Sequence, residues 1–96
     1  MPFAIVLAPE AVEDLKRLKP AVRGTVKDAM ETNLRHEPEK TSRSRIKRLR
    51  GISRPQYRLR VSDIRVFYDV AEGVVEVLAI VPKSETAAWL AQFGKL

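Results

Sequence analysis

Three apolar runs dominate the second half of the chain. They are Tyr57–Val61, Ile64–Val70 and Val74–Val81, and they are separated by the polar breaks Ser62-Asp63 and Ala71-Glu72-Gly73. Runs rich in Val, Ile, Tyr and Phe that are joined by two or three turn residues are typical of consecutive β-hairpins. The pattern therefore predicts three sequential antiparallel strands.

The first half of the chain has a different periodicity. A short apolar strand is expected over Pro2–Ala8, and Pro9 then opens a helix with acidic residues in its first turn. Pro20 ends that helix and starts a second one. The buried stripe of the second helix is predicted from apolar residues at helical spacing, namely Val22, Val26, Ala29, Met30 and Leu34.

Two further elements complete the prediction. Arg45–Arg50 is expected to form a short exposed strand, and Ser84 is expected to cap a last helix over Glu85–Phe93. The order β-α-α-β-β-β-β-α describes a small α+β domain that spans residues 1–96, with a largely antiparallel sheet and the helices packed on one face. The other face is left for charged side chains.

Alternation along the strands gathers three arginines on that other face. Arg58 and Arg60 oppose the apolar side of the first run, and Arg65 shares its side of the second run with Phe67. Guanidinium groups on neighbouring strands repel one another, so a surface that keeps three of them together is suited to phosphate. The alternative is a set of ordinary solvent-facing arginines. If the arginines act on phosphate, truncation of Arg65 to alanine should remove the activity and leave the fold intact, since an exposed arginine contributes little to stability.

The charge is concentrated in one segment. The chain carries a formal net charge of +6, and residues 40–65 contain ten basic residues and one acidic residue. A basic segment on a mildly acidic body is typical of a nucleic-acid binder, although it is also found in solvated loops that bind nothing. Within this segment the candidate contacts to RNA or the ribosome are Arg43, Arg45, Lys47, Arg48, Arg50 and Arg54.

Three residues outside the arginine set are further candidates. Lys83 follows the last strand and is a candidate cation or proton donor for the arginine face. Phe67 is a candidate for stacking on a base, and Trp89 is another, although a Trp at helical spacing from Phe93 is more often a packing residue.

Other chemistries are disfavoured by composition. There are no cysteines and a single histidine, so a thiolate zinc site and a two-histidine nuclease are excluded. The acidic residues are scattered, which disfavours a two-metal nuclease, so no metal and no cofactor are expected. No apolar run is long enough to span a membrane, and we expect a cytoplasmic protein.

The order of several short motifs resembles that of the RelE/ParE superfamily of bacterial toxins, on the RelE side. The motifs are RLRG at 48–51, YRLRVSDIRVFYDV at 57–70 and VVEVLAIVPKSE at 74–85, preceded by DLKRL at 14–18. The resemblance implies a ribosome-dependent endoribonuclease that cleaves translated mRNA through attack of the 2′-hydroxyl on the adjacent phosphate, without a metal. By position, Arg58 and Arg60 match two basic residues of the family, Arg65 matches the arginine that stabilises the transition state, and Lys83 falls near the basic residue before Ser-Glu.

One position departs from the pattern. The family often has a tyrosine a few residues after Ser-Glu, where this chain has Ala87, and the nearest aromatic residue is Trp89. The departure supports one alternative, a catalytically weak module that binds only the antitoxin. A second alternative on the same fold is a ParE-like inhibitor of DNA gyrase, which has no evident need for the three arginines.

The resemblance also implies partners. These are an acidic, partly disordered antitoxin that wraps the basic chain, the ribosome and its mRNA, and operator DNA that a toxin–antitoxin hetero-oligomer binds through the antitoxin. No membrane partner is expected.

Overall fold

A computed structural model describes residues 2–96 of the chain. The strands and helices, in chain order, are β1 (Ala4–Leu7), α1 (Pro9–Arg17), α2 (Pro20–Leu34), β2 (Ile46–Arg48), β3 (Tyr57–Val61), β4 (Ile64–Ala71), β5 (Val74–Pro82) and α3 (Thr86–Phe93). A 3₁₀ turn over Lys83–Glu85 precedes α3. The predicted α+β order is confirmed.

The five strands form one sheet in the order β1-β5-β4-β3-β2. The three strands of the second half of the chain are joined by two-residue turns, Ser62-Asp63 and Glu72-Gly73, and Gly73 has the positive φ of 72° that such a turn requires. β1 pairs with β5 in parallel, and every other neighbouring pair is antiparallel. The sheet is therefore largely antiparallel, as predicted.

One face of the sheet, called the first face below, is sealed by α1 and α2. Ala11 and Leu15 of α1, and three apolar residues of α2, pack onto the inward-facing side chains of β2 to β5. The aromatic rings of Tyr57 and Tyr68 stack on this face with their centroids 5.5 Å apart. Both tyrosines therefore point toward the helices.

The opposite face, called the second face, is crossed by α3. Phe67, Ala79 and Val81 form a small apolar cluster there, and Trp89 and Leu90 of α3 pack against it. The prediction that all helices share one face is therefore wrong for α3. The physical reason is the apolar strip around Phe67, which would be exposed to water if α3 lay elsewhere.

A β-bulge creates this strip. Phe67 pairs with Ala79 but Tyr68 pairs with Val77, so that Leu78 is an extra residue in β5. The bulge changes the parity of β5: Val77 points to the first face and Val81 to the second.

Two side chains fix α1 relative to the sheet and to α2. Asp14 accepts a hydrogen bond from the backbone N–H of Ile80, close to the bulge, at 3.0 Å. Arg23 donates to the carbonyl oxygens of Leu15 and Leu18 at 3.2 and 2.9 Å, and so satisfies the C-terminal end of α1.

The predicted cap of the last helix is wrong. Ser84 lies inside the 3₁₀ turn, Glu85 precedes α3 without a side-chain hydrogen bond, and the hydroxyl of Thr86 donates back to the carbonyl of Lys83. Within residues 2–96 the structure contains no helix that is both long and apolar enough to cross a bilayer.

Candidate nucleic-acid interface

The structure brings the three predicted arginines together on the second face. Arg60 pairs directly with Arg65 across β3 and β4, and Arg58 pairs with Phe67 in the same ladder. Lys47 of β2 is the partner of Arg58 on its other side. Arg58, Arg60, Arg65 and Lys47 are called the arginine surface below. Among the described residues none of their side chains forms an ion pair with a carboxylate.

Arg58 is partly buried within the arginine surface. Its Nε is buried and has no hydrogen-bond partner within residues 2–96. Burial lowers the pKa of the Arg58 guanidinium, and repulsion from Arg65 and Arg60 lowers it further. A buried donor without an acceptor costs free energy, so this group is poised to gain from an anionic ligand.

Arg65 differs from the sequence expectation. It is only 6% exposed, and its terminal nitrogen donates to the carbonyl oxygens of Ser62 and Ile64 at 2.8 and 3.0 Å. The guanidinium therefore braces the β3–β4 turn, in which Ser62 has a φ of 54°. The premise that Arg65 is exposed is therefore wrong, because its side chain is buried and hydrogen-bonded, and we now expect its truncation to destabilise this turn.

Lys83 lies beside the same turn. Its backbone N–H donates to the carbonyl of Asp63 at 2.7 Å, and its side chain is exposed. The residue is thus adjacent to the turn that Arg65 braces, at the edge of the arginine surface.

The basic segment is divided by the fold. The side chains of Arg43, Arg45 and Arg50 are exposed near the β2 edge. Arg48 instead lies over the ring of Tyr57, 5.1 Å from its centroid, on the side of the sheet opposite to Lys47. Arg48 therefore lies on the face opposite to the arginine surface, because successive side chains of a strand point to opposite faces. Its contact with RNA stays a prediction.

Arg54 is neutralised by two carboxylates. Its Nε lies 2.9 Å from Asp69 and its terminal nitrogen lies 2.9 Å from Glu76. Asp69 also accepts a hydrogen bond from the backbone N–H of Gln56 at 2.7 Å. Arg54 was predicted to contact RNA, but this charge is already compensated at the far end of the second face.

Phe67, which was expected to stack on a base, stacks on Trp89 of the same chain instead. Phe67 is 1% exposed and stacks on Trp89 with centroids 5.0 Å apart and planes inclined by 4°. Phe67 therefore cannot receive a base in this conformation, and Trp89 packs rather than projecting into solvent. Ala87 is exposed in the first turn of α3, and the two tyrosines of the chain lie on the other face, so no tyrosine hydroxyl approaches the arginine surface.

Sequence reasoning missed the acidic residues of this face. Asp69 and Glu76 are direct partners in the β4–β5 ladder, and they share the second face with Arg65 and Phe67. Strand alternation from Arg65 predicts that Asp69 lies on the second face. For Glu76 the bulge interrupts the alternation of β5, so the sequence pattern does not show its face as directly. Among the described residues there is no cluster of three or more acidic or histidine side chains that could hold a metal ion.

The family model of the ParE toxin of the type II toxin-antitoxin system parDE matches residues 5–87. No curated protein is similar enough to match the chain.

Several solved structures share the fold. The toxin–antitoxin complex RelBE2 from Mycobacterium tuberculosis is 21% identical with a TM-score of 0.71, and the match covers 85% of this chain and 99% of that one. A double arginine mutant of the Escherichia coli toxin RelE in the free state is 22% identical with a TM-score of 0.68, covering 93% and 92% of the two chains. The archaeal RelE–RelB complex from Pyrococcus horikoshii is 25% identical with a TM-score of 0.64, covering 86% and 97%. The chain belongs to the RelE/ParE family of toxins from type II toxin–antitoxin systems.

Proposed function

We propose that this toxin is a ribosome-dependent endoribonuclease that cleaves mRNA during translation. The observation that carries the proposal is the arginine surface, where, among residues 2–96, no carboxylate pairs with the guanidinium groups and the buried Nε of Arg58 has no partner. Such a surface is complementary to the phosphate backbone of RNA.

The proposed reaction depends mainly on positive charge placed next to the reacting phosphate. The 2′-hydroxyl oxygen forms a bond to the adjacent phosphorus while its proton passes to solvent. The bond from phosphorus to the 5′-oxygen breaks, that oxygen leaves with a proton, and a 2′,3′-cyclic phosphate remains. Guanidinium groups stabilise the extra negative charge of the pentavalent phosphate.

The arginines have different roles in this proposal. Arg58 and Arg60 bind the phosphate, and the unpartnered Nε–H of Arg58 donates a hydrogen bond to one of its oxygens. Arg65 acts as a positioning residue, since its hydrogen bonds to Ser62 and Ile64 hold the turn between the two arginine strands. Lys83, at the edge of that turn, adds charge that attracts the RNA.

The proposal includes a neutralising partner. The complexes from M. tuberculosis and P. horikoshii each pair a toxin with its antitoxin, and a chain with a net charge of +6 suits an acidic antitoxin that covers the arginine surface. In such a complex, operator DNA is bound by the antitoxin.

The test is to induce this chain alone in a bacterial host and to map the 5′ ends of a reporter mRNA. We expect new ends inside translated codons, and their loss in the Arg60→Ala variant, because Arg60 is exposed and its truncation spares the fold. The control is Lys19→Ala, which removes an exposed cation from the other side of the molecule and should cut as the wild type does. Intact mRNA, or equal cutting by the Arg60 variant, would exclude the proposed site.

Inhibition of DNA gyrase is the second candidate, because the matching family model is that of ParE toxins. Growth arrest with intact mRNA and loss of supercoiling activity in a purified gyrase assay would establish it. Absence of any arrest would leave a module that binds only its antitoxin, and Ala87 would be the first position to restore to tyrosine.

A further inference from the structure

A second concave site lies beside the arginine surface. It is a pocket of about 320 Å³ at the end of β3, where the middle of α2 overhangs the sheet. Its polar lining consists of Asp28, Thr32, Asn33, Arg45, Arg60 and Ser62. Arg60 thus belongs both to this pocket and to the arginine surface, so that the two sites share one cation.

Three charged side chains line the pocket without an ion-pair partner among residues 2–96. Neither Arg45 nor Arg60 forms an ion pair among the described residues, and the carboxylate of Asp28 forms none either, although all three line the same pocket. Asn33 donates its amide N–H to the carbonyl of Ala29 at 2.8 Å, which fixes the side chain and leaves its oxygen free to accept. The pocket therefore offers two cations, one carboxylate and one amide oxygen to a ligand.

This combination selects among nucleotides. Two guanidinium groups suit a phosphate, and a carboxylate with a neighbouring amide oxygen suits a base edge that presents several N–H donors. Guanine presents N1–H and the N2 amino group side by side, so both can donate to one carboxylate. Adenine and cytosine place an acceptor nitrogen beside their amino group, and uracil flanks its single N–H with two carbonyls, so each of these bases would set an acceptor against Asp28.

We propose that this pocket is a guanine-preferring subsite for a nucleotide of the RNA strand that crosses the arginine surface. Arg45 and Arg60 hold its phosphate, and Asp28 accepts from the guanine N1–H and N2 amino groups. The proposal rests on the proposed function for the identity of the strand as RNA, but binding is measured without cleavage.

The test is a titration of the purified full chain with GMP, AMP, CMP and UMP, followed by the backbone amide resonances of Thr32 and Ser62. Glu72, in the β4–β5 turn away from the pocket, is the reference resonance. We expect GMP to bind at least about fivefold more tightly than AMP, since two hydrogen bonds to a charged acceptor are at stake in an open site. Equal affinities for the four nucleotides, or shifts that avoid the pocket, would overturn the proposal.

Two variants assign the preference to Asp28. Asp28→Asn should bring the affinities for GMP and AMP within about twofold of each other, because an amide cannot accept from both guanine donors. Glu72→Gln removes the same charge from the exposed β4–β5 turn and should leave the preference unchanged. A preference that survives Asp28→Asn would show that this carboxylate does not read the base.

A second arm separates a strand from a free nucleotide. A short oligoribonucleotide with one guanine should bind more tightly than GMP, and Arg58→Met should reduce that gain. If GMP binds as tightly as the strand, the ligand is a free nucleotide and the strand subsite is excluded. Guanine binding without new mRNA ends would overturn only the cleavage, and new ends without guanine binding would overturn only the subsite.

Discussion

Arg54 and Arg58 both border the second face, and they differ in what surrounds them. Arg54 lies 2.9 Å from each of two carboxylates, whereas Arg58 has a buried Nε without a partner among residues 2–96 and a pKa lowered by burial and by two other arginines. Phe67, which stacks on Trp89, is the direct cross-strand partner of Arg58. Two arginines four residues apart in sequence thus have opposite electrostatic roles: one closes a structural network and the other is left for a ligand.

The largest effect is expected from removing the aromatic ring that pairs with Arg58 across the sheet. Phe67→Ala should lower the free energy of unfolding by about 3–5 kcal/mol, because the ring is buried and anchors Trp89 of α3. Urea unfolding measures it. Phe93→Ala is the control, since that ring is 51% exposed, and it should cost less than about 1 kcal/mol. Equal costs would mean that α3 is not anchored through Phe67.

The next effect separates the two arginines by activity. Arg58→Met should reduce ribosome-dependent cleavage about 100-fold, because it removes charge aimed at the transition state. Arg54→Met should leave the cleavage rate close to that of the wild type. The measurement is the rate of mRNA cutting on programmed ribosomes. Equal losses of rate in the two variants would contradict the different roles of Arg54 and Arg58.

A polar group on the first face provides a fully satisfied reference. Tyr68 donates its hydroxyl to the carbonyl of Pro38 at 2.6 Å, and burial raises the pKa of this tyrosine. Tyr68→Phe should cost about 1–2 kcal/mol by leaving that carbonyl without its donor. Tyr57→Phe, whose ring is stacked on the same face, should cost less.

The same tyrosine predicts a dependence on pH. A raised pKa in the folded state means that the neutral form is favoured by folding, so the stabilisation is complete below the ordinary tyrosine pKa of about 10 and is lost as pH rises above it. The wild type should therefore lose stability on alkaline titration more steeply than Tyr68→Phe. Parallel curves would show that this hydroxyl does not titrate with unfolding.

The smallest effect is the change in the free energy of unfolding when Arg54 or Arg58 is replaced. Arg54→Met should lower the free energy of unfolding by about 1 kcal/mol or less, because the pair is partly exposed and the change leaves Asp69 facing Glu76. Arg58→Met should leave stability unchanged or raise it, since a repelled and poorly solvated charge is removed. High salt should reduce the stability change caused by Arg54→Met, because the ion pairs of Arg54 are open to solvent. It should not reduce the change caused by Arg58→Met. Destabilisation of equal size by Arg58→Met would mean that Arg58 has a partner after all.

Much of the fold was predictable because local patterns specify it. The alternation at Tyr57–Val61 and Ile64–Val70 determined both hairpin strands and the side on which Arg58, Arg60 and Arg65 lie. The prolines at 9 and 20 marked the starts of two helices because a proline is well tolerated in the first turn. These features depend only on neighbours in sequence.

The tertiary structure decided what contacts each side chain. The bulge at Leu78 sends Val81 to the second face, and α3 follows it there, which buries Phe67 beneath Trp89. Asp69 and Glu76 meet Arg54 only because β4 and β5 are in register, while Arg65 turns back onto the carbonyls of its own turn. The sequence by itself thus determined which residues of β3 and β4 share a face, since parity along an unbroken strand is local. Whether an arginine on that face is free, paired or buried depended on long-range packing, because carboxylates and aromatic rings distant in sequence compete for the same space.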